Sequence, residues 1–302
     1  MRIGIFGGEV AATGSLHEHV AVARTVADQG FAGFWLPQIF GYDALTTLAV
    51  IGREVPNIEL GTAVVPTYPR HPAMLAAQAI TTNAAAGGRL TLGIGLSHQI
   101  VIESMYGLSF ARPARHMREY LQILVPLIRD GTVQASGETL TANVGLSMLD
   151  RQPFPVLIAG LGPRMLDLAG TLADGTVTWM TGPSTLADHI VPTIGAAAES
   201  AGRPEPRVVA ALPVLVTDDV DGGRSRAAKT FAVYDTLPSY KAMLDREGAA
   251  GPADVAIVGD EATVRSAIEA LADTGITDFI AVEFASDPDE ATRTRDVLRS
   301  LL

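Results

Sequence analysis

The chain has 302 residues, of which 48% are apolar, and its formal net charge at neutral pH is -11. This length and apolar fraction provide a sizeable core without a run of eighteen apolar residues, so we expect a soluble protein with one large domain spanning 1–302. The acidic balance argues against a general nucleic-acid or anionic-membrane surface. The absence of cysteine excludes disulfides and thiolate nucleophiles. Because the chain starts with a strand pattern and not a secretory signal, we expect a cytoplasmic location.

Apolar segments with the length of buried strands alternate along the chain with helical stripes. The predicted strands cover 2–6, 31–37, 58–65, 90–95, 156–159, 176–180, 207–216 and 277–284. The predicted helices cover 16–30, 43–54, 72–86, 98–130 with a break near 109–113, 162–173, 184–201, 220–247, 260–274 and 288–301, and 133–146 alternates as a surface hairpin does. This α/β alternation without a linker favours a (β/α)8 TIM barrel with insertions over a doubly wound open sheet.

Function in such a barrel is expected at the carboxyl ends of the strands. The residues predicted there are mainly apolar, small, or neutral and polar. The only two lysines, Lys229 and Lys241, fall in a helical region, which argues against Schiff-base chemistry. The histidines and carboxylates do not converge on several strand ends as a divalent-metal site requires, so we expect no metal. The composition favours a pocket for a flat organic cofactor held largely by backbone groups.

The segment 155–182 combines a strand, a glycine turn and a helix in one βαβ unit. Gly160 and Gly162 permit positive φ and a close backbone approach, and Pro163 fits the first position of a helix. The turn is therefore expected to present free N–H groups at a helix start, which suits a phosphate. Short glycine turns are also common in α/β proteins, so the segment alone leaves a purely structural role open.

Several blocks of sequence, in order along the chain, carry a resemblance to a known family. They are RIGIFGG, GFWLPQIFGYDALT, LGTAVVPTYPRHPAMLAAQA, GGRLTLGIGLSH, IAGLGPRMLDLAGTLADG and VGDEATVRSAIEALADTGITDF. Their joint order and spacing resemble the luciferase-like monooxygenase superfamily, and within it the branch that uses the deazaflavin coenzyme F420. The resemblance implies a luciferase-like barrel and an F420-dependent oxidoreductase with a small-molecule substrate.

The resemblance also implies which residues contact the cofactor. A bulge after the third strand, with a non-prolyl cis peptide between Ala63 and Val64, is implied to back the cofactor ring, and the turn 159–163 is implied to bind phosphate. The full set of implied cofactor-binding residues is Gln38, Thr62, Ala63, Val64, Val65, Ser97, His98, Gly160, Leu161, Gly162, Pro163, Thr178 and Trp179. His98 and Glu9 are the candidate proton donors, although His98 also fits a helix cap and Glu9 a solvated loop.

One departure from the family bears on the reaction. Its sugar-phosphate dehydrogenases carry an Asp-His pair after the second strand, where this chain has Gln38 and Ile39. This favours reduction of a C=C or C=N bond by reduced F420 over alcohol oxidation, because hydride delivery needs mainly a near-attack geometry. An FMN-dependent monooxygenase and a non-catalytic flavin-binding barrel remain as alternatives. The compact AGLGP turn favours F420 over FMN.

The family also implies a homodimer formed through helices near the second and third strands. The apolar stretches LTTLAVIG and MLAAQAITTNAAA suit a helix–helix interface. The same stretches fit the inner faces of barrel helices, so the sequence leaves the oligomeric state open. His71 precedes Pro72 and is expected to open a helix.

Overall fold

Eight parallel strands form the centre of the molecule. The structure is a computed structural model that describes residues 1–148 and 151–302, apart from the side chains of Glu9 and Val10. The strands are β1 (Arg2–Phe6), β2 (Gly33–Leu36), β3 (Glu59–Thr62), β4 (Leu90–Gly95), β5 (Val156–Ile158), β6 (Gly175–Trp179), β7 (Arg207–Val216) and β8 (Asp278–Glu283). All residues of β2 and β4 are buried, as expected for strands covered on both faces.

The eight strands close into a barrel. Each strand pairs in parallel with the next one along the chain. The ring is closed by β1 and β8, with Ile3 opposite Phe279 and Gly4 opposite Ile280. This closure confirms the predicted (β/α)8 TIM barrel, and it brings all eight carboxyl ends to one face.

Helices surround the barrel and begin at local capping signals. They are α1 (Leu16–Asp28), α2 (Ala44–Glu54), α3 (Pro72–Ala85), α4 (Pro113–Arg129), α5 (Pro163–Leu172), α6 (Val191–Ser200), α7 (Glu261–Ala272) and α8 (Pro288–Arg299). Ser15 and Glu18 form a reciprocal capping box at α1, and Asp43 accepts a hydrogen bond from the Thr46 N–H at the start of α2. The apolar helix faces pack against the outer faces of the strands in one large core.

The interior of the barrel has a smaller core of its own. Its buried members are Trp35, Leu157, Val177, Val209, Ala211 and Ile280. The Trp35 indole lies so close to β3 that a Cβ at Gly61 would stand 2.1 Å from its Cε3 atom. The guanidinium carbon of Arg207 lies 5.6 Å from the centroid of the Trp35 ring. Arg207 also pairs with Glu59 and Asp278, so a charged network closes the amino-terminal end of the barrel.

Further elements interrupt the strand–helix repeat. The antiparallel hairpin of Thr132–Ser136 and Thr141–Gly145 confirms the predicted hairpin, and the helices Val220–Thr230 and Pro238–Glu247 confirm a helical region after β7. The helix Gly8–Thr13 and the strand Ile257–Gly259 were not predicted, because each is too short to show a periodic pattern. Over the described ranges, no helix has the length and apolarity that a membrane crossing requires.

Candidate functional site

The carboxyl ends of the strands surround a partly exposed apolar surface, which we call the mouth floor. It consists of Phe6, Ala63, Val64, Ala159, Trp179 and Val282, which pack on the interior core of the barrel. These residues come from β1, from β6 and β8, and from the segments that follow β3 and β5. Because the opposite end of the barrel is closed by charged groups, the mouth floor is the surface on which a flat apolar ligand can lie.

The predicted bulge follows β3. Gly61 stands opposite Thr91, whereas Val65 stands opposite Ile94, so β3 carries one residue more than β4 over the same stretch. The peptide bond between Ala63 and Val64 is cis, as predicted. The buried Thr62 holds the bulge to β4, because its hydroxyl donates to the Gly93 carbonyl at 2.7 Å and accepts from the Gly93 N–H at 2.9 Å.

The bulge contacts both neighbouring strand ends through Gly95. A Cβ at this position would lie 2.6 Å from Val64 Cγ2 and 3.2 Å from the Cβ of Ala159. Only glycine lets these two side chains approach each other across the end of β4. Gly95 therefore joins the bulge and the start of the β5–α5 turn into one continuous surface.

Ser97 and His98 follow β4 and lie beside this surface. Ser97 has a φ of 60°, a left-handed conformation that is uncommon for residues other than glycine. The His98 ring is half-buried, with its centroid 5.9 Å from that of Tyr240. Burial lowers the pKa of His98 below its ordinary value, so the ring is neutral at pH 7. The His98 carbonyl accepts the N–H groups of Val101 and Ile102, but this is a backbone contact, and the π-helical turn Val101–Met105 has no side-chain cap among the described residues.

The β5–α5 turn, residues 159–163, differs in one respect from expectation. Neither Gly160 nor Gly162 has a positive φ, and Gly162 is extended at -84°. Glycine at position 160 instead gives room, because a Cβ there would lie a tight 3.3 Å from the Met165 backbone. A Cβ at Gly162 would meet no atom within 4 Å, so Gly162 faces open space in front of α5.

The turn leaves backbone donors free. Gly160 N–H donates to the Thr176 hydroxyl, and the Leu161 carbonyl accepts from His189 Nε2 at 2.9 Å. Within residues 1–148 and 151–302, the N–H groups of Leu161, Gly162 and Arg164 have no acceptor. Together with the positive end of the helix dipole, three free N–H groups make this turn suitable for an anion.

Thr178 and Trp179 end β6 on opposite faces of the strand. Trp179 belongs to the mouth floor, whereas Thr178 is on the outer face with Thr176. Thr178 lies two residues beyond Thr176, whose partner Ile158 forms the last pair of the β5–β6 ladder before the turn. Thr178 is 1% exposed, and its hydroxyl has no hydrogen-bond partner among the described residues. An unpaired buried hydroxyl at this position fits a polar ligand group bound at the turn.

Aromatic residues from the segment after β7 cover the mouth floor. We call Phe231, Tyr234 and Tyr240 the aromatic lid. Trp179 contacts Phe231 and Tyr234 edge-on, with ring centroids 5.7 and 5.5 Å apart. Tyr234 and Tyr240 are 5.1 Å apart, and Tyr240 reaches His98. The sequence indicates a variable lid region at 220–252 but not these three residues, because an aromatic residue in a long helical insertion gives no sign of which strand end it will cover.

The other residues singled out in the sequence do not belong to the mouth floor. The Gln38 amide is committed to the start of α2, because its Oε1 accepts the Ala44 N–H at 2.8 Å. Glu9 belongs to the helix Gly8–Thr13 after β1, and its side chain lies outside the described part of the chain. His71 caps α3 through Nδ1, which confirms the expected helix start. Pro163 is the first residue of α5, and Val65 is buried beside β4.

Comparisons with known proteins agree with this architecture. The family model described as luciferase-like monooxygenase matches residues 1–278. The chain therefore belongs to the luciferase-like monooxygenase family, as its sequence blocks predicted. It is 26% identical over 289 residues to the 5,10-methylenetetrahydromethanopterin reductase of Methanolobus tindarius, with 94% of this chain and 87% of the relative covered.

Solved structures share the fold across the whole chain. The coenzyme F420-dependent tetrahydromethanopterin reductase from Methanopyrus kandleri has a TM-score of 0.79 at 22% identity, over 99% of this chain and 96% of that one. The oxygenating constituent of 3,6-diketocamphane monooxygenase from Pseudomonas putida, in complex with FMN, has a TM-score of 0.76 at 16% identity, over 99% and 96%. At these identities the likeness establishes the luciferase-like barrel.

Proposed function

We propose that this protein is an F420-dependent oxidoreductase that uses reduced F420 to reduce a C=C or C=N bond of a small organic substrate. The observation that carries the proposal is the mouth of the barrel. There the Ala63–Val64 bulge and the free N–H groups of the β5–α5 turn lie on either side of Gly95, at the mouth floor. A flat ring needs apolar backing and a phosphate needs donors, and this surface offers both.

The described residues fit such a cofactor. Ala63 and Val64 would lie behind the ring, with Ser97 and His98 at its side. The N–H groups of Leu161, Gly162 and Arg164 would hold a phosphate, and the unpaired Thr178 hydroxyl would supply a further donor. The relative from Methanolobus tindarius is named a reductase, which supports reduction. The structure from Methanopyrus kandleri is named an F420-dependent reductase, which supports F420 over FMN.

The reaction needs a hydride and a proton. Reduced F420, when bound, supplies the hydride. His98 is neutral at pH 7 because burial lowers its pKa, so we assign it the role of a hydrogen-bond donor to the substrate atom that gains the proton. Water completes the proton supply. Trp179 and the aromatic lid would exclude bulk solvent from the reacting bond and give the substrate an apolar environment.

The residues after β2 support reduction over alcohol oxidation. The Gln38 side chain is engaged at the start of α2, and Ile39 is 64% exposed. Neither can act as the base that removes a hydroxyl proton. Oxidation of an alcohol needs such a base, whereas reduction of a polarised double bond does not.

A paired titration tests the proposal. Purified protein is titrated with F420 and with FMN while cofactor fluorescence is followed, and reduced F420 is then incubated with a panel of enones and imines. We expect micromolar or tighter binding of F420, weaker binding of FMN, and substrate-dependent oxidation of reduced F420. Preferential FMN binding with oxygen consumption would instead indicate a monooxygenase. Binding of F420 without turnover across the panel would indicate a flavin-binding barrel, and binding of neither would reject the cofactor assignment.

A further inference from the structure

Two carbonyl groups of the β5–α5 turn, those of Gly160 and Leu161, contact side chains from other elements. The Gly160 carbonyl lies 3.1 Å from the Thr176 hydroxyl of β6, and the Leu161 carbonyl lies 2.9 Å from His189 Nε2. His189 is 8% exposed and belongs to a π-helical turn, Leu186–Ile190, that precedes α6. Because a carbonyl oxygen only accepts, His189 must carry its proton on Nε2.

Because a peptide group is planar, a contact that holds a carbonyl group also fixes the direction of the N–H group of the next residue. In a trans peptide the C=O of one residue and the N–H of the next point in opposite directions. A hydrogen bond from His189 to the Leu161 carbonyl therefore aims the Gly162 N–H away from His189. The single Thr176 hydroxyl proton is shared between the Ile158 carbonyl at 2.8 Å and the Gly160 carbonyl at 3.1 Å, so this contact aims the Leu161 N–H away from β6 less firmly. Both N–H groups are free of protein acceptors in the described ranges, and Gly162 faces open space.

A second observation is an unpaired polar side chain close to the turn. Thr178 is 1% exposed, lies two residues beyond the last pair of the β5–β6 ladder, and has a buried hydroxyl without a partner in the part of the chain that the structure describes. A buried hydroxyl without a partner lowers stability unless a ligand forms a hydrogen bond with it. The turn thus has two N–H donors that are free of protein acceptors, and an unpaired hydroxyl lies close to it.

We infer that His189 is a positioning residue for the cofactor phosphate, which acts by holding the Leu161 carbonyl so that the Gly162 N–H points at the anion. This inference rests on the proposed cofactor site and adds to it a residue that does not itself touch the ligand. It predicts that His189 matters for phosphate-bearing ligands and not for the ring system. A merely structural histidine would affect both.

The test compares ligands with and without phosphate. Fluorescence titrations use F420 and its phosphate-free deazaflavin nucleoside, with wild type, His189→Met, His189→Gln and Asp188→Ala. His189→Met removes the donor at similar length, His189→Gln keeps an Nε2 donor, and Asp188→Ala changes an exposed neighbour on the same turn. We expect His189→Met to weaken F420 binding about ten-fold, the effect of one hydrogen bond to a charged group, and to change nucleoside binding less than about two-fold. We expect His189→Gln and Asp188→Ala to bind F420 within about three-fold of wild type.

Other results would overturn the inference. An equal loss for both ligands in His189→Met, or a loss for neither, would show that His189 does not act through the phosphate. If His189→Met does not fold, wild-type protein with ¹⁵N-glycine still tests whether the Gly162 N–H is directed at the phosphate: F420 should shift the Gly162 amide more than the Gly160 amide, which already donates to Thr176. A shift confined to Gly160 would reject the inference.

Failure of the cofactor assignment is a separate result. If wild type binds FMN and not F420, the same series with FMN and riboflavin tests His189. A loss confined to FMN would support the positioning role while the F420 proposal fails. Wild type that binds neither phosphate-bearing ligand would reject both.

Discussion

Arg207 donates two hydrogen bonds to Asp278 at the amino-terminal end of the barrel, from Nε at 2.9 Å and from Nη2 at 2.7 Å. Burial acts to raise the pKa of Asp278, but the bonds from Arg207 outweigh it and the pKa lies below its ordinary value. Arg2 and Glu59 extend the network across β1 and β3. These charges lie at the end of the barrel opposite the mouth floor, where they bear on stability and not on ligand binding.

Removal of this carboxylate should destabilise the barrel. In Asp278→Ala the largely buried Arg207 guanidinium loses one of its acidic partners and keeps Glu59. We therefore expect the free energy of unfolding to fall by about 3 kcal/mol. Urea denaturation measures the change. The matched control is the double variant Arg207→Met with Asp278→Leu, which removes both charges and should stay within about 1 kcal/mol of wild type. A loss under about 1 kcal/mol for Asp278→Ala would contradict the importance of the pair.

The bulge should tolerate no side chain at Gly95. In Gly95→Ala the new Cβ would lie 2.6 Å from Val64 Cγ2, so Val64 must move. We expect F420 affinity to fall about ten-fold and stability by about 1 to 3 kcal/mol. Gly195→Ala is the control, because a Cβ on this glycine of α6 would meet no atom within 4 Å, and the change should be neutral or stabilising. Unchanged F420 affinity in Gly95→Ala would separate the bulge from cofactor binding.

Thr178→Val distinguishes a ligand contact from a structural role. The Thr178 hydroxyl has no partner within the described ranges, so its loss should leave the free energy of unfolding unchanged or raise it by about 1 kcal/mol. F420 affinity should fall about five-fold, because a donor to the phosphate is lost. Thr176→Val serves as the comparison: its hydroxyl holds the Ile158 and Gly160 carbonyls, so stability should fall too. Lower stability with unchanged affinity in Thr178→Val would refute the ligand role.

His116 should make stability depend on pH. Its ring stacks on Tyr68 with centroids 3.9 Å apart, and burial lowers its pKa from 6.5 to about 4. Above pH 6.5 the ring is neutral in both the folded and unfolded states. As pH falls from about 6.5 to 4, the unfolded state binds a proton that the folded state does not, so stability falls by about 3 kcal/mol over this window.

Urea midpoints at pH 7 and pH 4.5 measure this effect. Carboxylates titrate in the same range, so the informative quantity is the difference between wild type and His116→Gln. The variant should lose less stability between the two pH values, because it has no imidazole to protonate. Equal losses in the two proteins would show that His116 does not carry the pH dependence.

Much of the fold follows from short-range patterns in the sequence. Apolar runs such as 90–95 and helical stripes such as 16–30 depend on residues close together in the chain, so they predict the elements correctly. Ordered sequence blocks place the cis peptide at Ala63–Val64, and the structure has it there. The predicted conformation of the β5–α5 turn was wrong in one respect, because Gly160 and Gly162 do not have a positive φ, and Gly160 instead packs closely against the Met165 backbone.

The orientation of the site depends on the closed barrel. His189 reaches Leu161 from 28 residues away, and the lid residue Tyr240 reaches His98 from the far side of the mouth. Strand pairing brings Thr178 toward the turn, because Ile158 stands opposite Thr176 only once β5 and β6 are paired. The sequence by itself determined the barrel and the turn, because local periodicity and capping act over a few residues. Only the tertiary structure decided which N–H groups are aimed at a ligand, because their directions depend on hydrogen bonds between distant elements.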